Sequence, residues 1–550
     1  MVIRFWLLIV ALVSSYFFLL FHLSELQLAN GGYYAARAGA EYIALNSVNA
    51  NRGVIYFTDK GGNLLPAVLN KDFPMIYAVP KAIEDPPETA NALSPLLGRP
   101  VEELKAIFTK VGDTYEVLVK KAAPELAGKI DDLKIKGIYV DSESARFYPL
   151  DLLASQVLGF VGPRSDAVGD IGQYGLEKFY NSDLAGQAGG VSDSNKIIAS
   201  APGKDLNLTI DPNIQIEAER ILDKLVSECK AKGGSVIVED PKTGKILAMG
   251  GYPNFDPNDY GKFPIANFLN PTTQQIYEPG SVFKIITMAT GIDSGKITPE
   301  TKYYDTGSVT LNGRTIQNYD IKTHGPYGWE TMTNVIEHSI NTGAVFAQRQ
   351  IGRDIFTKYL TSFGFGEKTG IDLPGELNGD LRRLSPKEKD IAFATASYGQ
   401  GVAVTPTELI TAVAAIANGG NLTRPYLNSA LEPKVIRRVI RESTAQQVTA
   451  MMVSAVDKAG VAKITGFTIA GKTGTAFVPD FKNGGYTDNV INTYVGFGPT
   501  SDPKFVALIK LNEPQGAPLA GLSVVPAFRE LAQFILNYYG VAPDRITNSQ

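Results

Sequence analysis

Cysteine, histidine and excess positive charge are all scarce in this chain of 550 residues. Its one cysteine, Cys229, excludes an intramolecular disulfide and any zinc site built from several thiolates, so the fold must stand on packing. Of three histidines, His22 borders an apolar N-terminal run, which leaves only His324 and His338 for a histidine-centred triad. A net charge of -4 gives no electrostatic footprint for nucleic acid, and that class of partner is set aside. Charged residues are 20% and hydrophobic ones 44%, close to an ordinary globular average. Wholesale disorder is excluded, and the length suits two or three domains.

What is present begins with FWLLIVALVSSYFFLLF at 5–21, apolar apart from two serines. The run approaches the ~20 residues a spanning helix needs, and predicts a membrane anchor over 5–23. A cleaved signal peptide is the alternative, but the stretch exceeds the usual apolar core of about 7–15 residues and ELQLAN lacks a small-x-small cleavage site. Arg4 and the terminal amine precede the run while Glu25 follows it, so residues 1–4 are expected in the cytoplasm and the rest outside it.

Between about 24 and 205, strand-like runs (GVIYF, MIYAVP, TYEVLV, KGIYV) alternate with helical ones such as PVEELKAIFTKV, as in an α+β module. The texture changes at SAPGKDLNLTIDPNIQIEAERILDKLV, where Asp211-Pro212 opens a long amphipathic helix, so a boundary is expected near 205. GSVIVED, PKTGK and ILAMGG then read as a hairpin. FTIAGKTGTAFV, VINTYVGFG and KFVALIKLNE add three strands before a final helix, VVPAFRELAQFILNYYG. Five strands, split two and three by a helical middle, predict one antiparallel sheet packed with helices in a mixed α/β domain over 206–540, with 541–550 as a tail.

Three short motifs carry chemistry, and each has decoys. Ser-x-x-Lys occurs as SVFK at 281–284, SECK at 227–230 and SDPK at 501–504; Ser-x-Asn as SIN at 339–341 and SVN at 47–49; Lys-Thr-Gly at 472, 242 and 368. SECK lies in an amphipathic helix and SDPK in a turn. SVFKIITMATGI is instead a helix apolar almost all round except for Lys284, and such a helix is normally buried. Serine and lysine three residues apart share a helix face, next to the unpaired N–H groups of the helix start. Taken alone, the pattern favours the plainer reading, with Ser281 only an N-cap and Lys284 a side chain snorkelling out of the core. Ser339 and Asn341 should sit at a bend between two helices, unless Asn341 merely caps the second. Lys472 lies in a strand weakened by two glycines, and close approach of a substrate backbone is one reason for them.

SVFK, SIN and KTGT in this order resemble the penicillin-binding transpeptidases and serine β-lactamases. NRGVIY at 51–56, RFYPLDLLASQVLGFVG at 146–162 and GQYGLEKFYNSDLAG at 172–186 resemble the membrane-proximal pedestal of class B penicillin-binding proteins, and YEPGSVFK and GQGVAVTPTEL their catalytic domain. The ending NEPQGAP…VVPAFRELAQFIL leans toward the division-type, FtsI-like branch over the elongation branch. FTDKGGN after NRGVIY departs from the family's usual pedestal turn, and no acidic glycosyltransferase motif is found.

The resemblance implies a transpeptidase fold with a five-stranded antiparallel sheet and helices on both faces, above a dimerisation-type pedestal over 24–205. It implies that Ser281 attacks the penultimate D-alanine of a peptidoglycan stem peptide and that an amine of a neighbouring stem resolves the acyl-enzyme. Ser339 and Asn341 would relay a proton and hold the substrate amide, while Lys472, Thr473 and Thr475 orient the terminal carboxylate. Gly474 would let the substrate lie along the strand, and the N–H groups of Ser281 and Thr475 would form the oxyanion hole. β-Lactams should acylate Ser281, with no metal or cofactor. Glycan polymerisation would fall to a membrane-embedded FtsW/RodA-type glycosyltransferase among other divisome partners. A free lysine of pKa about 10.4 is neutral in roughly one molecule in 2,500 at pH 7, so Lys284 must be perturbed to serve as base. Burial and the nearby Lys472 cation are the expected causes.

Overall fold

The computed structural model describes residues 2–24, 51–110, 113, 115–164, 170–187, 190–191, 197–198, 200–480, 482–517 and 519–545. The SVN decoy at 47–49 and the tail residues 546–550 lie outside them. Val2–Ser24 form one 23-residue helix, α1. Its described apolar side chains are exposed, Trp6 at 60% and Phe21 at 70%. Among the described residues no helix is long and apolar enough to cross a membrane. Several side chains of the 5–21 run lie outside the described ones.

The chain divides into two units. The smaller comprises Met1–Val54, Leu69–Ala145 and Ser182–Asp205; the larger comprises Ile55–Val68, Arg146–Asn181 and Leu206–Gln550. The expected N-terminal module over 24–205 therefore shares out two of its segments, 55–68 and 146–181, to the larger unit. Pairing gives one physical reason. β1 (Ile55–Thr58) runs antiparallel to the first residues of β2 (Leu64–Ala78), with Ile55 opposite Val68, and parallel to Leu206–Asn207, with Ile55 opposite Leu206. A second is the Ala154 N–H, which donates to Glu219 Oε1 at 2.9 Å and ties 146–181 to the chain beyond 206.

In the smaller unit, Ile76–Ala78 of β2 pair antiparallel with β3 (Glu116–Val119). Helices α2 (Pro86–Leu97), α3 (Val101–Phe108) and α4 (Pro124–Asp132) bury Leu93, Leu104, Phe108 and Ile130 with Ile76 and Leu118. The start of α2 is set locally: Pro86 supplies the pre-formed φ of the first turn and the Asp85 carboxylate accepts Glu88 N–H at 2.9 Å. Gly98, at φ 62°, ends it in the left-handed conformation.

The larger unit is built on one antiparallel sheet. Helix α5 (Pro212–Glu228) starts where the Asp211 side chain accepts the N–H groups of Asn213 and Ile214. Strands β4 (Gly233–Glu239) and β5 (Ile246–Tyr252) follow as the expected hairpin, with Val236 opposite Gly250. After a helical middle come β6 (Ala470–Pro479), β7 (Tyr486–Gly498) and β8 (Phe505–Asn512), and the spatial order is β5-β4-β8-β7-β6. The last helix, α6 (Val524–Tyr539), packs with α5 on one face of this sheet. There Ile221, Leu222, Phe528, Leu531 and Ile535 meet Val236, Val238, Ile509 and Leu511. Truncating Phe528, fully buried at the centre of this layer, would cost about 3–5 kcal/mol. On the opposite face Glu239 is met by Thr411 of the helix Pro406–Ala417, so the sheet is covered on both sides. That is why β4 and β8 read as nearly continuous apolar runs instead of alternating ones.

Candidate active site

SVFK does not begin as an α-helix. Gly280–Phe283 form a 3₁₀ turn, and the α-helix runs from Lys284 to Asp293. Gly280 has a φ of +59°, a conformation glycine adopts without strain. Pro279 and Phe283 hold the two N-cap positions and neither end has a side-chain cap, so Ser281 is not a capping residue. Lys284 does not snorkel either: it is 0% exposed. Its Nζ donates to the backbone carbonyl of Ser339 and, at 3.2 Å, to Ser339 Oγ.

Ser339 occupies the expected break between helices, after Met332–Glu337 and before Asn341–Ile351. Its φ of +59° is uncommon for a residue with a Cβ and costs on the order of 1 kcal/mol. The strained backbone aims Oγ at a second lysine, Lys472 of β6, whose Nζ lies 2.9 Å away. One hydroxyl thus bridges two buried ammonium groups. Asn341 is not a cap: Ile340 holds that position, and Asn341 Nδ2 donates to Gln317 O at 2.9 Å. Lys472 is 4% exposed and also donates to Thr473 O at 3.1 Å and Thr473 Oγ1 at 3.3 Å. Thr475 Oγ1 donates to Asn492 Oδ1 at 3.2 Å.

Two buried cations sharing a partner cannot both be comfortable. Burial pushes the Lys284 ammonium well below its usual range, the Lys472 charge pushes it further, and Asp320 opposes them. Burial pulls Lys472 down to about 7.

Among the described residues, strand β6 lies at the sheet edge and pairs only with β7. The structure gives Gly474 a reason other than the expected approach of a substrate backbone. A Cβ there would lie 2.6 Å from Pro279 O and 2.8 Å from Val282 Cγ2, so its bare face is taken up by the segment that carries Ser281. A Cβ on Gly471 would lie 2.0 Å from Tyr494 OH. Both glycines are packing requirements of this junction.

Four neighbours escaped the sequence reading. Gly399 lets the backbone approach the turn: Gly280 N–H donates to Gly399 O at 3.1 Å, and a Cβ on Gly399 would lie 2.2 Å from Gly280 O. Glu278 accepts Gly401 N–H at 2.9 Å and the Tyr486 hydroxyl at 2.9 Å, fastening the residues before Ser281 to two other segments. Gln317 O accepts from Asn341, and the Asp320 charge acts on Lys284. Gly399 opens GQGVAVTPTEL and Glu278 lies in YEPGSVFK, two segments of the resemblance, while nothing local points to Gln317 or Asp320. The decoys take ordinary places: Ser227 and Ser501 are exposed, Lys242-Thr243-Gly244 forms a hairpin turn, and Thr369 N–H donates to Glu376 at 2.8 Å. His338 Nε2 lies 2.9 Å from Lys458 Nζ, and His324 stacks on Tyr327 with centroids 4.0 Å apart.

Residues 234–533 match the penicillin binding protein transpeptidase domain, and residues 47–208 match the penicillin-binding protein dimerisation domain. The chain belongs to the penicillin-binding proteins. Stage V sporulation protein D of Bacillus subtilis is 31% identical over 93% of this chain and 83% of its own length. Peptidoglycan D,D-transpeptidase FtsI of Escherichia coli K12 is 29% identical over 99% and 93%. Among solved structures, penicillin binding protein 2X of Streptococcus thermophilus has the same fold, with a TM-score of 0.72 and 22% identity over 90% of this chain and 81% of that one. A dimerisation domain ahead of a transpeptidase domain is the organisation expected of a class B penicillin-binding protein, and a division-type member is compatible with these relatives.

Proposed function

We propose that this penicillin-binding protein is a peptidoglycan D,D-transpeptidase that cross-links stem peptides through an acyl-enzyme on Ser281. The observation that carries the assignment is Ser339 Oγ, 3.2 Å from Lys284 Nζ and 2.9 Å from Lys472 Nζ. Lys284, uncharged, takes the Ser281 hydroxyl proton as Oγ attacks the carbonyl of the penultimate D-alanine. Ser339 passes a proton to the departing D-alanine amine, and Lys472 with Thr473 and Thr475 holds the terminal carboxylate. Asn341 holds the substrate amide, and Gly474 keeps the strand close to the nucleophile segment.

The N–H groups of Ser281 and Thr475 form the oxyanion hole. A Cβ on Gly280 would lie 2.9 Å from Thr475 O, so the Thr475 peptide edge faces the Ser281 turn. In a strand a residue's N–H and C=O point to the same side, which brings the Thr475 N–H there as well. The open edge of β6 offers the remaining backbone groups to an extended substrate as an added strand. A primary amine of a second stem then attacks the ester: the C–N bond forms, the C–O bond breaks, and the amine proton goes to Ser281 Oγ.

The module over 24–205 acts as pedestal, and α1 anchors it in the bacterial cytoplasmic membrane with residues 1–4 inside. The support for this anchor is the sequence run FWLLIVALVSSYFFLLF at 5–21, apolar apart from two serines. Its outward apolar side chains suit lipid. We assign it to septal wall synthesis beside an FtsW/RodA-type glycosyltransferase and other divisome proteins, on the likeness to FtsI.

Labelled penicillin is expected to mark the protein covalently, and Ser281→Ala to abolish the mark while the thermal transition is kept. Persistent labelling of the variant would remove Ser281 as nucleophile. Supplied with stem peptide and an acceptor amine, the enzyme should form cross-linked dimer; hydrolysed product alone would make it a D,D-carboxypeptidase, and labelling without turnover a β-lactam-binding sensor or scaffold.

A further inference from the structure

The acceptor in transpeptidation arrives as an ammonium cation, and the proposed site meets it with the Lys472 cation, whose charge is present below about pH 7. Something must offset that repulsion, and one carboxylate is placed to do so. Asp320 acts on Lys284 against the effect of Lys472, so it lies within electrostatic reach of the nucleophile's base. It is only partly buried, so a solute can approach it.

Its position is fixed from several sides. Gln317 O accepts Asn341 Nδ2 at 2.9 Å, and Asn318 Oδ1 accepts Thr342 N–H at 3.1 Å, so the segment leading to Asp320 is fastened to the start of the helix that follows Ser339. Asn318 Nδ2 donates to the buried Asp305 carboxylate at 3.1 and 3.0 Å. The Asp320 carbonyl accepts the N–H groups of Thr323 at 2.9 Å and His324 at 2.8 Å, which closes the turn. The Tyr327 hydroxyl donates to Asp320 Oδ2, which orients the carboxylate. A partly exposed carboxylate held this firmly, two residues beyond the segment fastened to Asn341 and Thr342, is suited to receive a mobile cation.

We propose that Asp320 is a specificity-determining residue for the acceptor, holding the ammonium group of the second stem peptide at the rim of the site. The inference rests on the acyl-enzyme reading given above. Asp320 concentrates and orients the cation and is not its base. One ammonium proton is lost to solvent before attack, and the second leaves the amine as the C–N bond forms and reaches Ser281 Oγ as the ester C–O bond breaks.

The test is the fate of a preformed acyl-enzyme in the full-length protein, made from a D-alanyl ester donor and offered either glycinamide, largely cationic, or hydroxylamine, uncharged at neutral pH. In Asp320→Asn the ratio of aminolysis to hydrolysis with glycinamide should fall roughly fivefold, the size of one partly exposed ion pair, with hydroxylamine unaffected. Asp320→Glu should restore most of it. In the unaltered protein, raising ionic strength should lower the glycinamide ratio and spare hydroxylamine, a readout that does not depend on a variant folding. Equal loss for both acceptors, or loss for neither, overturns the assignment. Failure to form any acyl-enzyme would instead overturn the underlying transpeptidase reading.

Discussion

If the Lys472 charge helps to keep Lys284 unprotonated, removing it should move the pH dependence of acylation and not only its height. The two Nζ atoms lie 3.2 and 2.9 Å from the same Ser339 Oγ, so they are at most about 6 Å apart. At that distance, with an effective dielectric constant near 20, one unit charge is worth about 3 kcal/mol. A charge of that size lowers the Lys284 pKa and so raises its neutral fraction on the acid side. Lys284 acts without its proton, so acylation falls as pH falls through its pKa in the folded enzyme. Burial and then the Lys472 charge both depress that pKa. In Lys472→Met the second contribution vanishes, the pKa rises and the acid limb moves to higher pH. Because Lys472 itself loses its proton at about 7, its charge is present below that pH and fades above it. The two proteins should therefore diverge most below pH 7. The assay is the second-order rate of labelling by fluorescent penicillin across the acid range, read by the position of the limb. A lower plateau with an unmoved limb would refute the electrostatic role: burial alone would then neutralise Lys284, and Lys472 would act through its hydrogen bonds.

Two further predictions concern stability. Lys510 of β8 is 2% exposed, lies 4.8 Å above the Tyr277 ring, and is pulled from 10.5 to about 8 by burial. A lysine whose folded pKa is lowered imposes no penalty above pH 10.5, a growing one as pH falls, and a constant one below about 8. Lys510→Met should therefore raise the unfolding free energy by about 2–3 kcal/mol below pH 8, allowing for the lost contact with Tyr277, and change it little above 10.5. Urea unfolding at both ends of that window checks the sign. Glu177→Gln, which removes the carboxylate 2.6 Å from the buried Arg146 guanidinium, should destabilise the fold, seen as a lower urea midpoint at unchanged slope.

The same contrast between pattern and environment explains what was legible in the sequence. The five strands, their two-and-three split and the final helix were readable because turn residues and apolar runs are local properties. The larger unit's claim on 55–68 and 146–181 was not, since it depends on pairings such as Ile55 with Leu206, about 150 residues apart. In the site, Lys284 stood out because a lysine breaks an apolar helix, while Asp320 and Gln317 have no local peculiarity and join the site through tertiary contacts.

Lys510 shows the limit most clearly. In KFVALIKLNE it interrupts an otherwise nearly continuous apolar run. Register places it opposite Thr493, which is opposite Gly474, so it shares the sheet face of Lys472 and the Ser281 turn. Thr493 Oγ1 donates at 3.4 Å to the hydroxyl of Tyr277, the residue beneath Lys510, and Tyr277 lies four positions before Ser281. Helices cover that face, so Lys510 becomes a third buried lysine. The cost of Lys510 is thus a consequence of the two-sided packing that also strips water from Lys284 and Lys472, and the stability and acylation experiments measure one physical cause at two positions of the same face.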